Sequence, residues 1–511
     1  MSQMRIRTGQ IAPLLIILAG AAALRFVLLD TRELFRDEAA SWLLARSAWG
    51  EMITRSASEP YAPLYAFLLK AWIGMLGDAP ASLRALSAVA GVASVGVTWA
   101  WTRQAIGPRA AALAALLVAL SPLAIANARE ARMYALESLF AVLAWWLIWR
   151  LLTSRTPGAG SPLAIAAAAL AVAGELWMLP TGVAAFALQA TVVAVVAWRR
   201  RAGTRAAGIA LVLGLAAFVP WLPRLLSVAG GGQPFWTPTP DLTALLQTLG
   251  GAFGGWQPSP GWVAVLPLAV LGAFGFGALF RRGFADPTAL TVSAGAALVL
   301  AWWIASLWRA AYDSRYLGSA VPPLAIAIAA GAESLATRLQ RTPQALWGAA
   351  AVVLVLVGTG TAAFEANWVS GQGQAPAQAA SVVLQTRVRT GDVVLVADAQ
   401  SYFPLAYLLE REREPIEVPA PIRYWRSGLE PAYTGGDLIR RDATIPRDAG
   451  LKPGELPGLA TSGSIWLVAL TDPVAEIRGF APLADGRVAE MERLEVTDHG
   501  DGGLILRLRP T

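Results

Sequence analysis

Two adjacent acidic residues, Asp37 and Glu38, follow the first long apolar stretch of the sequence. They lie in the segment Phe-Arg-Asp-Glu-Ala-Ala-Ser-Trp, residues 35–42. If the apolar stretch crosses a membrane, these carboxylates lie near the lipid headgroups but stay hydrated. A carboxylate in that position can accept a proton from a sugar or lipid hydroxyl group. The alternative is that both residues only solvate a loop, and the dipeptide by itself fits either interpretation.

A second charged group, Arg129, Glu130 and Arg132, directly precedes another long apolar stretch. The amino terminus of a helix attracts anions, because backbone N–H groups point outwards there. Arginine grips phosphate through two parallel hydrogen bonds, so two arginines at such a helix end suit a phosphate group. The alternative is a local ion pair whose side chains extend to the lipid headgroups.

A third group, Tyr-Asp-Ser-Arg-Tyr at residues 312–316, also precedes an apolar stretch. Charges in so short a turn beside a membrane are costly unless they pair with one another or bind a ligand. Arg315 and Tyr316 are therefore candidates for binding an anion. The alternative is a purely structural ion pair between Asp313 and Arg315.

The composition restricts the chemistry that these groups can perform. The chain has no cysteine, and its single histidine is His499, close to the carboxyl terminus. Disulfides, thiolate zinc sites and cysteine nucleophiles are therefore excluded. Lysine occurs only as Lys70 and Lys452. Catalysis in the apolar part of the chain must consequently rest on Asp, Glu, Arg and Tyr side chains.

The apolar stretches that separate these groups predict an integral membrane protein. Of the 511 residues, 56% are hydrophobic and 15% are charged, whereas soluble domains usually have about 25% charged residues. Runs of roughly 18 or more apolar residues recur, which is the length that crosses a ~30 Å hydrocarbon layer. They predict about eleven transmembrane helices, at residues 11–29, 82–102, 109–127, 131–150, 161–178, 180–198, 206–226, 261–280, 287–308, 317–337 and 344–364.

The distribution of charge predicts how these helices are oriented. Residues before 368 include 26 basic and 15 acidic side chains, whereas the tail from 368 has 15 basic and 19 acidic ones. Arginines in short interhelical loops mark the cytoplasmic side, so we do not expect them to bind nucleic acid. With an uncleaved first helix and a surface-lying helix over 61–77, every Arg-rich loop falls inside. The outer side then receives loops 30–80 and 227–260 and the tail.

The tail, residues 367–511, is predicted to be a separate soluble α/β domain that follows a membrane domain over 1–366. Residues 392–397, 464–470 and 504–508 have the pattern of strands, and 402–409 that of a short helix. The stretch 415–463 has no clear period. No glycine-rich phosphate loop follows these strands, so a nucleotide site is not supported.

Taken in order along the chain, these groups resemble the bacterial members of the GT-C superfamily of glycosyltransferases. The chain is more closely similar to the protein O-mannosyltransferase-like group, which includes the aminoarabinose transferase of lipid A. The likeness covers about residues 10–340. It rests on Arg36–Ala39, Pro63–Tyr65, Leu83–Arg84, Arg129–Ala135, Pro220–Pro223, Phe235–Trp236 and Arg315–Leu317 followed by Pro322.

The resemblance implies a mainly α polytopic bundle of the GT-C fold and an inverting transfer of a sugar from a polyprenyl-phosphate donor to an acceptor hydroxyl. It implies that Asp37 is the general base and that Glu38 and Glu130 belong to the catalytic site. A divalent cation on Asp37 and Glu130 is compatible with these oxygen ligands, although their spacing does not require one. The residues expected to bind the donor phosphate are Arg129, Arg132, Arg315 and Tyr316, and those expected to line the substrates are Arg36, Tyr61, Tyr65, Lys70, Tyr134 and Glu175.

Two departures from the group limit what can be carried over. Glu175 stands where related sequences have a histidine or a tyrosine-rich patch, and Glu59-Pro60-Tyr61 stands where the aminoarabinose-transferase relatives have a lysine. The identity of the sugar is therefore left open. The acceptor hydroxyl is left open among those of lipids, glycans and proteins.

The sequence thus predicts a glycosyltransferase of the bacterial inner membrane, in contact with membrane lipids, with its catalytic loops and carboxyl-terminal domain on the periplasmic side. The rivals are a secondary transporter or lipid flippase and an inactive scaffold that presents the tail. Transporters keep ionisable groups near the bilayer midplane on interrupted helices. Here the charges gather at the predicted outer ends, which favours the transferase.

Overall fold

The computed structural model describes residues 12–57, 61–153, 160–199, 203–230, 237–254, 265–338, 343–370, 376–396, 399–411, 417–420, 422–425, 444–445, 464–470, 488–495 and 504–510. Among these residues, helices dominate up to residue 370, and the strands all lie after residue 392. The chain divides into two compact units. We call them the membrane unit, residues 1–29, 60–65 and 84–370, and the C-terminal unit, residues 30–59, 66–83 and 371–511.

The helices up to residue 370 are numbered in chain order. They are α1 (Ala12–Phe26), α2 (Arg36–Arg46), α3 (Trp49–Ser56), α4 (Leu64–Leu76), α5 (Pro80–Ala105), α6 (Pro108–Leu120), α7 (Pro122–Ala128), α8 (Tyr134–Thr153), α9 (Pro162–Leu176), α10 (Thr181–Trp198), α11 (Thr204–Phe218), α12 (Leu222–Gly230), α13 (Leu242–Phe253), α14 (Val265–Phe280), α15 (Pro287–Trp308), α16 (Val321–Arg338) and α17 (Pro343–Ser370). Two 3₁₀ helices, Val219–Trp221 and Ser314–Ala320, lead into α12 and α16.

Several helices of the membrane unit begin where a short polar residue precedes a proline. Ser121 and Ser161 each accept a hydrogen bond from the backbone N–H three residues later, at 3.2 and 3.3 Å. Asp286 accepts two such bonds, from Thr288 and Ala289. Proline has no N–H to lose at the first helical position, so these Ser-Pro and Asp-Pro pairs fix the starts of α7, α9 and α15.

Glycines allow two helices of the membrane unit to approach each other at backbone distance. A side chain at Gly275 on α14 would collide with the carbonyl group of Ala327 on α16. One at Gly331 on α16 would collide with the carbonyl group of Leu271 on α14. Helices in lipid associate through such close packing, because the hydrophobic effect does not drive them together there. The α14–α16 pair is therefore a tightly packed part of the bundle.

The predicted helical membrane bundle is confirmed. Where the structure describes them, the eleven apolar stretches each lie in one helix or in two or three consecutive helices. By length and composition, six helices among the described residues can cross a membrane, and the pair α6–α7, bent by 59°, makes up to seven. The apolar helices α1, α9 and α14 are shorter, at 15 or 16 residues. The structure also contains α13 within the predicted outer loop 227–260, where the sequence pattern had indicated no element.

The C-terminal unit contains α18 (Pro376–Arg387), α19 (Ala399–Glu410) and a six-stranded sheet. Its strands are β1 (Val393–Val396), β2 (Ile422–Trp425), β3 (Thr444–Ile445), β4 (Ile465–Ala469), β5 (Val488–Glu495) and β6 (Leu504–Pro510). They are ordered β3-β2-β1-β4-β6-β5. The first four are parallel, and β6 and β5 continue the sheet in antiparallel fashion.

The α/β character of the tail is therefore confirmed. The predicted strands over 392–397, 464–470 and 504–508 correspond to β1, β4 and β6, and the predicted helix over 402–409 lies within α19. Residue 397 lies outside the described residues. The strands β2, β3 and β5 were not predicted from the sequence, because they are short or amphipathic and flank segments without a clear period. The unit also includes α2 and α3, which the sequence-based division had assigned to the membrane domain.

Candidate active site

The predicted catalytic carboxylates stand at the first turn of α2, in the C-terminal unit. Glu38 is buried, and its Oε2 accepts a hydrogen bond from the backbone N–H of Phe35 at 3.0 Å. It therefore satisfies one of the N–H groups that a helix start leaves without a partner. Asp37 is more exposed, and its Oδ1 accepts a hydrogen bond from Arg36 Nε at 2.9 Å. Of the two acids, Asp37 keeps the more accessible carboxylate, while Glu38 stabilises the helix.

Lys70 acts at the opposite end of α2. Its ammonium group donates hydrogen bonds to the carbonyl groups of Ala45 at 3.2 Å and Ser47 at 3.0 Å. A cation at a helix carboxyl terminus neutralises carbonyl groups that the helix leaves unpaired. The geometry thus favours a structural role for Lys70, and its predicted contact with substrate stays a prediction.

In the membrane unit, four of the predicted residues form one group, which we call the arginine–tyrosine cluster: Arg132, Tyr134, Arg315 and Tyr316. The guanidinium groups of Arg132 and Arg315 each lie 5.8 Å from the centre of the Tyr134 ring. The rings of Tyr134 and Tyr316 are 5.7 Å apart. Cations over aromatic faces are held in place by the ring quadrupole. Two arginines from turns that are far apart in the sequence are thereby presented around one tyrosine.

Arg315 is oriented by neighbours on both sides. Asp313 Oδ2 accepts a hydrogen bond from Arg315 Nε at 3.0 Å, and its Oδ1 accepts one from the Arg315 backbone N–H. Asn127 Nδ2 donates to the Arg315 carbonyl group at 2.9 Å. The ion pair proposed as an alternative from the sequence is therefore present. It engages Nε, the guanidinium nitrogen nearest the backbone. Glu130 lies close enough to interact electrostatically with Arg315.

Arg132 is joined by Tyr61 from the segment before α4. Its Nη2 donates to the Tyr61 hydroxyl at 3.3 Å, and its guanidinium group lies 5.1 Å from the centre of that ring. Ser87 donates a hydrogen bond to the Arg132 carbonyl group. Tyr65, one turn further along, is buried. The predicted substrate-lining residues Tyr61 and Tyr134 therefore both contact this arginine.

Arg129 has a different environment from the other two arginines. Its two terminal nitrogens each donate to Glu365 at 2.9 Å, and its Nε donates to the Leu24 carbonyl group at 3.0 Å. The rings of Phe364 and Trp368 lie beside its guanidinium group, which is 1% exposed. All three nitrogens of Arg129 are thus engaged, which favours a structural role over phosphate binding.

Glu175 lies in a buried polar group inside the membrane unit. Its Oε1 accepts a hydrogen bond from Gln189 Nε2 at 2.7 Å, and it interacts electrostatically with Glu137. Glu137 in turn accepts a longer hydrogen bond from Thr181 at 3.5 Å. Glu137 was not predicted from the sequence, although an acidic residue within an apolar stretch is a signal in itself. Glu365 and Asn127 were not predicted as partners of the arginines either, whereas the pair of Asp313 with Arg315 was.

Burial affects one further tyrosine beside the cluster. The Tyr312 hydroxyl and Thr248 Oγ1 are 2.7 Å apart, and the ring packs among apolar residues that support the turn before α16. Burial raises the pKa of Tyr312 to about 12, with the nearby charge of Asp313 acting in the same direction. Tyr312 therefore stays neutral at physiological pH and serves as a packing residue.

The described residues include no group of three or more His, Cys, Asp and Glu side chains that could hold a metal ion. Asp37 belongs to the C-terminal unit and Glu130 to the membrane unit. Carboxylate oxygens are suitable ligands for a hard divalent cation. A cation bound by these two residues thus remains a prediction. The matched segment Phe235–Trp236 lies outside the described residues.

Comparisons with known proteins agree with the resemblance seen in the sequence. A family model described as dolichyl-phosphate-mannose-protein mannosyltransferase matches residues 58–223. No curated protein sequence matches the chain. The crystal structure of ArnT from Cupriavidus metallidurans bound to undecaprenyl phosphate is 15% identical, with a TM-score of 0.64 and 98% of each chain covered. Its apo form is 14% identical, with a TM-score of 0.66 over 98% of each chain.

A second similar structure is the archaeal oligosaccharyltransferase AglB from Archaeoglobus fulgidus, in complex with an inhibitory peptide and a dolichol-phosphate. It is 12% identical, with a TM-score of 0.54, covering 97% of this chain and 74% of AglB. Identities this low show a shared fold. Together with the matched family, they confirm the resemblance predicted from the sequence: the protein is a polytopic chain of the GT-C fold, and its membrane part resembles the protein O-mannosyltransferase-like group.

Proposed function

We propose that the protein is a membrane glycosyltransferase that moves a sugar from a polyprenyl-phosphate-linked donor to an acceptor hydroxyl group. The observation that carries this proposal is the arginine–tyrosine cluster, in which two guanidinium groups flank Tyr134. Planar guanidinium groups suit the oxygens of a phosphate, which they can grip in pairs. Aromatic faces beside them suit the sugar that the phosphate carries.

The chemistry follows from what each group supplies. Asp37 accepts the proton of the acceptor hydroxyl while that oxygen attacks the anomeric carbon. The bond from that carbon to the donor phosphate breaks on the opposite face, which inverts the configuration. The phosphate leaves with growing negative charge, and Arg132 and Arg315 stabilise it. Tyr316 supports the ring on which Arg315 lies.

Support for a lipid-phosphate donor also comes from the similar structures. The ArnT crystal structure contains bound undecaprenyl phosphate, and the AglB structure is a complex with an inhibitory peptide and a dolichol-phosphate. Both molecules carry a phosphate on a long polyprenyl chain. We extend this to the present chain as part of the proposal, together with a location in the bacterial inner membrane and a site on its outer face. The sugar and the class of acceptor are left to experiment.

The test compares cell-envelope lipids and glycans by mass spectrometry in cells with and without the gene. We expect deletion to accumulate a lipid-phosphate sugar and to remove one envelope modification. The wild-type gene should restore the modification, whereas a gene encoding Asp37→Asn should not. An unchanged envelope after deletion, or full restoration by Asp37→Asn, would contradict the proposed function.

A further inference from the structure

The helix that carries Asp37, α2, packs through its middle turn against α19, in the C-terminal part of the same unit. Trp42 of α2 and Tyr407 of α19 meet edge to face, with ring centres 5.1 Å apart and planes at 85°. Trp42 is completely buried. Aromatic rings prefer such edge-to-face contacts, because the positive edge of one ring meets the negative face of the other. All residues in this contact belong to the C-terminal unit, although they are widely separated in sequence.

Asp78 links the two aromatic residues by hydrogen bonds. The Trp42 indole N–H donates to Asp78 Oδ2 at 3.2 Å, and the Tyr407 hydroxyl donates to the Asp78 carbonyl group at 3.0 Å. Asp78 is 1% exposed. A buried polar group that lost its partner would be costly, so each member of the triplet restrains the other two.

Three further sets of hydrogen bonds restrain the segment around α2. Before the helix, Glu33 accepts hydrogen bonds from the backbone N–H groups of Ala377 and Gln378 at the start of α18. After it, Lys70 caps the carboxyl end. Within the helix, Ser41 donates to the Asp37 carbonyl group at 2.9 Å. Asp37 lies five residues before Trp42 on the same helix, or about 7.5 Å along its axis. A displacement of Trp42 is therefore passed to Asp37.

We propose that Trp42, Asp78 and Tyr407 are positioning residues: they hold α2 against the C-terminal domain and thereby set the place of the Asp37 carboxylate. The inference rests on the proposed function, in which Asp37 is the base. It assigns the C-terminal domain a part in catalysis that does not require it to touch either substrate. A base must reach its proton within hydrogen-bond distance, and a misplacement of about 1 Å can cost a rate factor of roughly 10².

The chain offers a matched control within the same domain. Trp466 is also completely buried, and its indole N–H donates to Asp392 Oδ2 at 2.9 Å. Trp42→Phe and Trp466→Phe thus each remove one buried Trp–Asp hydrogen bond from the C-terminal unit. Only the first of them touches α2. A merely structural role predicts that the two variants behave alike once the loss of folded protein is taken into account.

The experiment uses the full-length protein with Trp42→Phe, Tyr407→Leu, Trp466→Phe or Asp37→Asn. Three quantities are measured: the amount of envelope modification per folded protein, the binding of undecaprenyl phosphate, and the hydrogen exchange of backbone amides in α2. For Trp42→Phe and Tyr407→Leu we expect faster exchange in α2, a 10- to 100-fold loss of modification, and phosphate-lipid binding within about twofold of wild type. Trp466→Phe should keep wild-type exchange in α2 and wild-type modification.

Tyr407→Phe sharpens the test, because it retains the ring contact with Trp42 and loses only the hydroxyl. It should fall between wild type and Tyr407→Leu in both exchange and modification. Unchanged exchange in α2, or faster exchange with full modification, would overturn the positioning role while leaving the proposed function intact. If gene deletion changes no envelope component, or Asp37→Asn keeps full modification, the proposed function fails. The exchange data then decide alone whether these contacts hold α2, and equal exchange in Trp42→Phe and Trp466→Phe refutes that they do.

Discussion

The two candidate parts of the active site are built in different ways. The arginine–tyrosine cluster of the membrane unit consists of residues from short charged turns, and its members orient one another directly. The α2 helix of the C-terminal unit presents one partly exposed carboxylate, and its support comes from Asp78, Tyr407 and the start of α18. A binding site for a charged group can thus be assembled from two short motifs, whereas the placement of a single base depends on contacts from several distant segments.

The largest effect is expected from the base itself. Asp37→Asn is nearly isosteric, keeps the helix start and removes the ability to accept a proton. Loss of a general base typically costs about 10²- to 10⁴-fold in rate. Glu51→Gln is a suitable control, because Glu51 lies in the same unit and forms an exposed ion pair with Arg55. Transfer activity of Asp37→Asn within a few-fold of the control would show that this carboxylate only solvates the helix start.

A slightly smaller effect is expected in the arginine–tyrosine cluster. Arg315→Lys keeps the charge but loses the planar fork, so it should lose the paired contacts to phosphate oxygens. Hydrogen bonds to charged groups are worth about 1.5–3 kcal/mol, or roughly 10- to 100-fold in transfer rate. Arg282→Lys serves as the control, because Arg282 is exposed and its guanidinium group donates to the Ala105 carbonyl group. Equal activity of the two variants would argue against phosphate binding by Arg315.

A charge exchange separates phosphate binding by Arg315 from its ion pair. The double variant Asp313→Arg with Arg315→Asp can still form a pair, but it puts a carboxylate where negative charge develops on the leaving phosphate. We expect it to remain inactive and to bind undecaprenyl phosphate poorly. Recovery of activity in the double variant, relative to Arg315→Asp alone, would show that the pair with Asp313 is what matters.

Substitution of Arg129 should lower the stability of the protein more than its activity, in contrast to substitution of Arg315. Arg129→Gln leaves Glu365 without its ionic partner in a largely buried site. Breaking a buried ion pair typically costs about 3–5 kcal/mol. We expect a lower unfolding temperature in detergent but near-normal undecaprenyl phosphate binding by the folded fraction. The matched change Arg315→Gln should show the reverse pattern. If Arg129→Gln lost phosphate-lipid binding without losing stability, Arg129 would be a phosphate-binding residue after all.

The helical bundle and most residues of the arginine–tyrosine cluster could be predicted because each is recognisable from a short stretch of sequence. A membrane-spanning helix is visible as an apolar stretch, and Arg132, Tyr134, Arg315 and Tyr316 stand in two short motifs. The hydrogen-bond and ion-pair partners that lie far away in the sequence could not be predicted. Glu365 follows Arg129 by 236 residues, and Tyr407 contacts an aspartate 329 residues earlier in the chain. Such pairings depend on tertiary packing, which no periodicity or spacing encodes.

The same limit applies to Lys70 and Glu38. The family resemblance implied that both belong to the active site, whereas in the structure both form hydrogen bonds at the ends of α2. A helix end needs partners for its N–H and carbonyl groups whatever its function. The Glu38 contact was within reach of sequence reasoning, since a glutamate three residues into a helix is a frequent partner for the N–H before it.

The smallest predicted effect tests how α2 is anchored at its start, and it is a pH dependence. Glu33 is half-buried, and burial raises its pKa to about 7, although its hydrogen bonds from Gln378 and Ala377 act in the opposite direction. Its ordinary value in an unfolded chain is 4.5. Between these two values the folded protein holds a proton that the unfolded chain has released. The free energy of unfolding therefore falls as the pH rises through this window, and the contribution of Glu33 is fully present only below pH 4.5.

Glu33→Gln removes this titration and keeps one acceptor for the α18 N–H groups. We expect the difference in unfolding temperature, wild type minus Glu33→Gln, to decrease between about pH 4.5 and 7 and to be flat on either side. Parallel curves for the two proteins across this range would show that the carboxyl group titrates normally and that the start of α2 is not anchored by a half-buried Glu33.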